Sequence, residues 1–487
     1  MVTTGERKGA RAAPGARRAL VWSFANTAIG KFGTLLISIA IARLLGPDAF
    51  GTYAVALVAL AAVLSFNELG ISLAIVRWEG DPRRIAPTVA TISTAASLVF
   101  FLVAWMLTPA FAAAMGDPSA TDVVRLMLVC VPLNGIVATP AALLQRDFQQ
   151  GRRAAADQVN IWLGAGISVV LAALGWGAMS LAIGRVVASV VFSGMLVAFC
   201  PSGIRFGWDR AVVGPLLRFG LPLAGSSLVV FAVGYADQLV VGTTLGTQAL
   251  GFYLLAFNLA SWPVMILSQP IRAVAPAAFA RIQAQRDLMD RTFRDGLRLL
   301  TAVALPACAF IAGAAFPIVS FVYGPQWEPA ALALQWLALQ AAIRIVFELS
   351  YDFLAVLRKS KTLLIVQLVW LALLIPALLI GARLGGTGGV ALAQFVVAGI
   401  VLVGCYGWAL GRAGVHLVAL ARTTLVPLLF GLVALGGSLL ISAFVPGAFV
   451  ASLLAGLFCT AVIGGALLCS RRSVAAFRGV GVEGSPA

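Results

Sequence analysis

The sequence predicts an all-α polytopic membrane protein of about 14 transmembrane helices. Two pseudo-symmetric six-helix lobes, related as a parallel repeat, are followed by two peripheral helices. Three observations predict this. Of the 487 residues, 61% are hydrophobic and only 11% charged, with a mean hydropathy of +1.01, which leaves too few polar side chains to cover a water-soluble fold of this length. Apolar runs of about 20 residues recur along the chain, each long enough as a helix to cross roughly 30 Å of hydrocarbon; the ten-residue alternation of an outer-membrane barrel is absent. Finally, the polar turn Ala42-Arg-Leu-Leu-Gly-Pro-Asp-Ala-Phe-Gly-Thr-Tyr53 returns as Leu245-Gly-Thr-Gln-Ala-Leu-Gly-Phe-Tyr253, with Leu45, Gly46, Ala49, Gly51, Tyr53 and Ala56 matching Leu245, Gly246, Ala249, Gly251, Tyr253 and Ala256 without a gap.

In chain order, a basic tail (1–18) precedes a first lobe (19–200) of six spans: Ala19–Ala42, Thr52–Val76, Ala86–Ala114, Val123–Leu144, Ala155–Leu174 and Ala178–Cys200. The tail lacks a convincing cleavage site, so the first span reads as retained. A linker (201–218) leads to the second lobe (219–411), with spans Phe219–Thr243, Leu250–Pro270, Leu299–Val319, Ala330–Tyr351, Leu363–Gly381 and Val390–Leu410. Pro263 and Pro270 are expected to kink or end the eighth span. Residues 412–470 hold Leu425–Phe444 and Ala448–Cys469, rich in Leu, Gly and Ala without intramembrane charge, and 471–487 form a tail. The insert Arg272–Arg298, with Asp287, Asp290 and Asp295 at helical spacing, reads as a surface-hugging helix with internal ion pairs, or as a docking site for a cytoplasmic enzyme.

Charge separates the two faces. Of the 34 Lys and Arg residues, 28 fall in alternate loops and tails, two (Arg43, Arg383) in the intervening loops, and four (Lys31, Arg125, Arg185, Arg344) inside spans. Positive residues stay on the cytoplasmic side, so both termini are expected to be cytoplasmic and the chain multi-pass. The net charge of +16 is thereby topology, with no nucleic acid expected as partner. The six cysteines form no CxxC pair and the single histidine, His416, lies in a cytoplasmic loop, so no metal site, disulfide framework or His-based catalysis is expected. Gly385-Gly-Thr-Gly-Gly389 lacks a following Lys-Ser and is a tight outer turn rather than a phosphate loop.

Charged side chains within the bilayer are costly and face cavities or partners. Lys31, with Asn26 near its face, is a candidate cationic cavity group; the alternative is a pair with a buried acid such as Asp237 across the lobe interface. Arg185 has no acid within a turn and is a candidate for phosphate or sugar, against capping of backbone carbonyls. Arg344 is a further cavity candidate, although Glu348 one turn on offers a local ion pair. Asp237 and Glu68 are candidate coupling-ion sites for a proton or sodium. Arg125 reads as interfacial, paired with Asp122. The repeated hairpins, with Arg43, Gly46, Gly51, Tyr53, Gly246, Gly251 and Tyr253, read as the start of each lobe on the outer face, their glycine pairs permitting the turn.

The hairpin followed by Glu68-Leu-Gly-Ile71, together with Phe219-Gly-Leu-Pro222, Asp237-Gln-Leu-Val-Val-Gly242 and the second hairpin, resembles the signature of Wzx-like oligosaccharide (O-unit) flippases. These are polysaccharide-biosynthesis membrane proteins of the multidrug/oligosaccharidyl-lipid/polysaccharide exporter superfamily. The resemblance spans about residues 18 to 470 in topology, and its sharp motifs are the two hairpins. It implies a place in a bacterial plasma (inner) membrane, a central cavity that opens alternately to either side, an undecaprenyl-pyrophosphate-linked oligosaccharide as cargo, and surface polysaccharide (lipopolysaccharide or exopolysaccharide) as the product served. Lys31 and Arg185 match the family's cationic cavity residues by placement. Membrane lipids, a polysaccharide polymerase and glycosyltransferases are the implied partners, with no enzymatic activity and no cofactor beyond proton or sodium coupling.

Three rival readings stand beside it. A cation-coupled multidrug-type exporter of the same fold would line its cavity with acids, whereas Lys31 and Arg185 suit anions. A membrane glycan polymerase, ligase or acyltransferase needs a large outer loop or an intramembrane His/Asp/Glu constellation. An assembly scaffold with a degenerate transport site is weighed against by the intramembrane charges.

Overall fold

A computed structural model describes residues 14–470 except 68–70, 79–80, 148, 201–203, 269–274, 276–278, 283–284 and 358, with side chains from residue 37 onward. Lys31, Asn26 and Glu68 therefore lie outside the described side chains. Among the described residues the chain is helical with no strand. A backbone in hydrocarbon must satisfy its own hydrogen bonds, and a helix does so within one segment.

The helices are α1 (14–45), α2 (47–67), α3 (Pro82–Ala114), α4 (Pro118–Arg146), α5 (Gln150–Ala173), α6 (Ala178–Phe199) and α7 (Arg210–Leu245). They continue with α8 (Thr247–Ala260), α9 (Arg286–Gly313), α10 (Ala330–Val356), α11 (360–384), α12 (387–412), α13 (Leu417–Phe444) and α14 (Ala448–Cys469). Twelve stretches among the described residues are long and apolar enough to cross a membrane. One of them, Lys361–Arg412, has 52 residues, about 78 Å at 1.5 Å per residue and far longer than one crossing. It folds back at Gly385 and Gly386, whose backbones are not helical, and Gly381 then packs so closely on Gly389 that a Cβ would sit 2.4 Å from its carbonyl oxygen.

The chain departs from the expected spans in two informative places. Residues 286–298 are no separate surface helix: they are the polar start of α9, which runs unbroken for 28 residues to Gly313. The expected internal pair is present, Arg294 to Asp290 at 2.8 Å, and Asp290 is buried because it also accepts from the backbone N–H of His416 at the start of α13. An acid satisfied by tertiary contacts draws the helix into the bundle. In the eighth span the regular α-helix stops at Ala260 and a π-helical stretch, Val264–Ser268, follows beside Pro263, so the apolar span continues to Ser268 in altered form; Pro270 lies outside the described residues.

Small residues bring the helices together, as in membrane bundles where dispersion and close backbone approach replace the hydrophobic effect. A Cβ on Gly135 of α4 would lie 2.0 Å from the Ser97 hydroxyl of α3, and one on Gly184 of α6 would lie 2.6 Å from the Gly164 carbonyl of α5. Helices α13 and α14 pack on the far side of α9, where Gly313 meets Ser438 and Gly431 meets Leu305; they stay peripheral to the lobe interface. The first ten residues of α7 pack with the first lobe: Val212 and Leu216 join Ile71, Ile75, Ile85 and Leu143 in one buried cluster.

Candidate functional site

The two hairpins meet at one end of the bundle. Each turn is made by a glycine in the left-handed region, Gly46 (φ 71°, ψ 173°) and Gly246 (φ 85°, ψ 179°), conformations that a Cβ disfavours. Gly51 and Gly251 serve a different purpose from the turn expected of them. A Cβ on Gly51 would lie 2.2 Å from the Thr247 carbonyl oxygen, and one on Gly251 would lie 2.6 Å from the Pro47 carbonyl oxygen and 3.1 Å from the Cα of Gly51. The second glycine of each motif lets the two lobes cross in backbone contact.

Around that crossing the hairpin end is sealed. Arg43 donates through Nε to the Val322 carbonyl at 2.7 Å and through its terminal nitrogen to the Phe321 carbonyl. Trp327 is fully buried, donates Nε1–H to the Ala42 carbonyl at 3.2 Å, and takes Phe50 and Phe252 edge-on, with ring centroids at 5.5 and 5.9 Å. Thr247 reaches the Met115 carbonyl at 3.3 Å. First-lobe and second-lobe elements are thus pinned by carbonyl-directed donors and one shared indole. Trp327 was not singled out by the sequence; the signal for it was an aromatic within the very short loop Gly324–Glu328.

Tyr53 and Tyr253 do not join this seal. Each sits seven residues past its turn glycine, about two helical turns along its helix, and two residues past the glycine of the crossing. Tyr253 is buried and donates its hydroxyl to Asp237 Oδ2 at 2.8 Å; the backbone N–H of Gln238 donates to Asp237 Oδ1 at 2.8 Å. Asp237 is 0% exposed, a buried charge that persists because donors surround it.

Arg185 lies in α6, seven residues from its first residue and so about 10 Å along the axis from the hairpin end. Its side chain is exposed, and no acid pairs with it among the described residues. Cys130, in α4, hydrogen-bonds Ser189, one turn on from Arg185, at 3.5 Å. A cation left uncompensated inside a membrane helix costs about 3 kcal/mol.

The remaining intramembrane charges are local. Arg344 pairs with Glu348 at 3.3 Å, as the i,i+4 spacing requires, and the second Glu348 oxygen takes the Ser268 hydroxyl; the Arg344 side chain stays 40% exposed. Arg125 does not pair with Asp122: its guanidinium lies over the Trp105 ring, 5.3 Å from the centroid, and its Nε has no hydrogen-bond partner. A cation–π contact with the indole of α3 takes the place of the expected ion pair.

Comparison with known proteins agrees with this architecture. Residues 40–332 match the family model described as "Polysaccharide biosynthesis protein". The succinoglycan biosynthesis transport protein ExoT of Rhizobium meliloti (strain 1021) is 26% identical over 385 residues, covering 79% of this chain and 78% of the relative. The lipopolysaccharide biosynthesis protein WzxC of Escherichia coli (strain K12) is 24% identical over 359 residues, 73% of each chain. Among solved structures, the lipid II flippase MurJ in an inward closed conformation superposes with a TM-score of 0.77 at 14% identity, covering 92% of this chain and 99% of that one. An inward-facing multidrug resistance transporter of the MATE family, in the MOP superfamily, gives a TM-score of 0.63 at 18% identity over 80% of this chain and 96% of that one. With the family model spanning more than half of its length, the chain belongs to the polysaccharide biosynthesis protein family of multi-pass membrane proteins.

Proposed function

We propose that this protein moves a lipid-linked oligosaccharide, an undecaprenyl-pyrophosphate-linked glycan, across the bacterial plasma membrane for surface polysaccharide biosynthesis, by alternating access between its two lobes. The family and the relatives named for succinoglycan and lipopolysaccharide biosynthesis support the pathway class. The fold shared with MurJ and the MATE transporter supports a two-lobed membrane carrier. It does not choose between anionic and cationic cargo. The observation that carries the choice is Arg185, an exposed guanidinium with no acid paired to it among the described residues, about 10 Å along α6 from its first residue. An anionic pyrophosphate and a polar glycan cannot cross hydrocarbon unaided, whereas the polyprenyl tail stays in lipid while the head group passes a polar cleft. Translocation needs buried cations and no nucleophile, so we assign no catalytic residue.

In this reading the chain crosses the membrane fourteen times, with the hairpin end outside and both termini cytoplasmic, as the charge separation supports. Lys31 and Asn26 line the same cleft as Arg185, Arg344 contributes at its second-lobe wall, and Asp237 or Glu68 carries the coupling proton or sodium. A polymerase and glycosyltransferases act before or after it. The test is export of surface glycan in a cell that depends on this protein. Lys31→Ala and Arg185→Ala are each expected to abolish export with the protein still present in the membrane; normal export from both removes the site assignment. Collapsing the proton and sodium gradients in turn during vesicle translocation is expected to slow it with one of them, and indifference to both removes the coupling assignment.

A further inference from the structure

The third and fourth helices of each lobe are joined by loops of one design. In the first lobe Gly116 (φ 81°) precedes a 3₁₀ turn that opens on a proline, Pro118–Ala120. In the second lobe Gly324 (φ 103°) precedes another, Pro325–Trp327. Each loop reaches across to the other lobe's hairpin. The second-lobe loop lies over the first hairpin: Trp327 donates to the Ala42 carbonyl, and a Cβ on the turn glycine Gly46 would lie 3.8 Å from the Gln326 side chain. The first-lobe loop lies over the second hairpin: Thr247 Oγ1 donates to the Met115 carbonyl at 3.3 Å, and a Cβ on Gly116 would lie 3.4 Å from the Cα of the turn glycine Gly246. The two straps are exchanged, each lobe clasping the other.

The offset of two hundred that relates the hairpins aligns Ala42 with Gly242, and there each strap seats a large side chain. Trp327 seats at Ala42. Met115 seats at Gly242: it is fully buried, and a Cβ on Gly242 would lie 2.2 Å from its Cε and 2.9 Å from its Sδ. The backbone does not call for glycine at this point, since Gly242 lies inside α7 and is not among the glycines of positive φ. Glycine within a helix is destabilising relative to alanine. The space it leaves explains it: a notch for Met115, whose unbranched side chain suits an irregular gap.

Asp117 holds the strap to its own lobe. Its Oδ2 accepts from the Thr52 hydroxyl of the first hairpin at 2.7 Å, and its Oδ1 from the Ser119 backbone N–H at 3.0 Å. The two straps are held unequally. Arg43 and Trp327 direct three donors between the first hairpin and the second-lobe strap with the helix end before it. Among the described residues, Thr247 is the single hydrogen-bond donor from the second lobe to the first-lobe strap.

We infer that residues 115–119 are the releasing strap of the hairpin end: Met115 leaves the Gly242 notch when the lobes part there, and how firmly it seats sets how often they part. The inference rests on the alternating access proposed above and involves no cargo.

The test is the distance between spin labels on cysteines at Asp122 and Gln248, exposed positions on the two sides of this strap. It uses the full chain, freed of its six native cysteines, in lipid nanodiscs. The parent is expected to show a short, closed distance as its main population. Met115→Ala empties the notch, and Gly242→Leu fills it from the other side. Each is expected to raise the ratio of long to short distances about tenfold or more, as loss of a buried contact of this size does. Combined, the leucine occupies the space that the methionine vacates, and the ratio is expected to return to within about threefold of the parent. Thr52→Val unhooks the strap without touching the notch and is expected to raise the ratio roughly threefold or more, which keeps the test decisive if a notch variant fails to fold. Ratios unchanged by Met115→Ala and Thr52→Val overturn the inference, as does a double variant in which the two notch effects multiply. Translocation in proteoliposomes, measured separately, tells the two claims apart. Intact translocation with distances indifferent to the strap variants sinks only the strap, and distances that respond as expected in a protein that translocates nothing sink only the proposed function.

Discussion

Single side chains in this protein are readable by asking what each charge touches. Asp237 is buried and accepts from Tyr253 and the Gln238 backbone; Arg185 is exposed and touches no acid among the described residues. That contrast separates a satisfied group from one awaiting a partner. Removing the Tyr253 hydroxyl leaves the buried carboxylate short of a donor, so Tyr253→Phe is expected to destabilise the second lobe by about 1–3 kcal/mol, seen as a lower thermal unfolding temperature in detergent. An unchanged unfolding temperature would mean that Asp237 is not held as described. Arg185 was legible in the sequence because a charge in an apolar run stands out. The Arg125–Asp122 pair expected from proximity is not formed: the Arg125 guanidinium lies over the ring of Trp105, twenty residues away in sequence, a contact that no local pattern records.

At the scale of the element, the repeated hairpin carries the most information. The sequence shows that it recurs, and recurrence on the same side of the charge separation makes the repeat parallel. It does not distinguish a glycine that turns from one that is crossed. Gly46 and Gly246 turn; Gly51 and Gly251 are pressed against the opposite lobe, a contact between residues two hundred apart that no local pattern records. Gly51→Ala is therefore expected to prevent the closed crossing. The fold itself should persist, because each lobe keeps its own packing. The check is labelling of a single cysteine introduced near the hairpin end with a membrane-impermeant thiol reagent. Labelling is expected to rise several-fold over the parent protein, and unchanged labelling would show that the crossing tolerates a methyl group. Trp327→Ala, which removes both edge-on contacts and the bond to Ala42, is expected to act in the same direction. The polar start of α9 teaches a related lesson. Asp and Arg at helical spacing suggested a helix on the surface, yet Asp290 is buried by its contact with His416 and the helix continues inward.

For the molecule as a whole, the fold class was legible because hydrophobicity, charge separation and internal repetition agree, and agreement across levels is what makes a sequence specify one structure. The lobe boundary was less so. The beginning of α7 packs with the first lobe while its end carries Asp237 into the second, so one helix belongs to both bodies and links their movement. The account's central claim is that cargo crosses when the sealed hairpin end opens. The direct measurement is translocation of a polyprenyl-pyrophosphate-linked oligosaccharide in proteoliposomes, with cysteines placed at Arg43 and Val322 in a background free of the six native ones. A short thiol crosslinker across that contact, 2.7 Å between the guanidinium and the carbonyl in the native chain, is expected to stop translocation, and cleaving the crosslink is expected to restore it. Translocation that continues at full rate through the crosslinked protein would contradict the account.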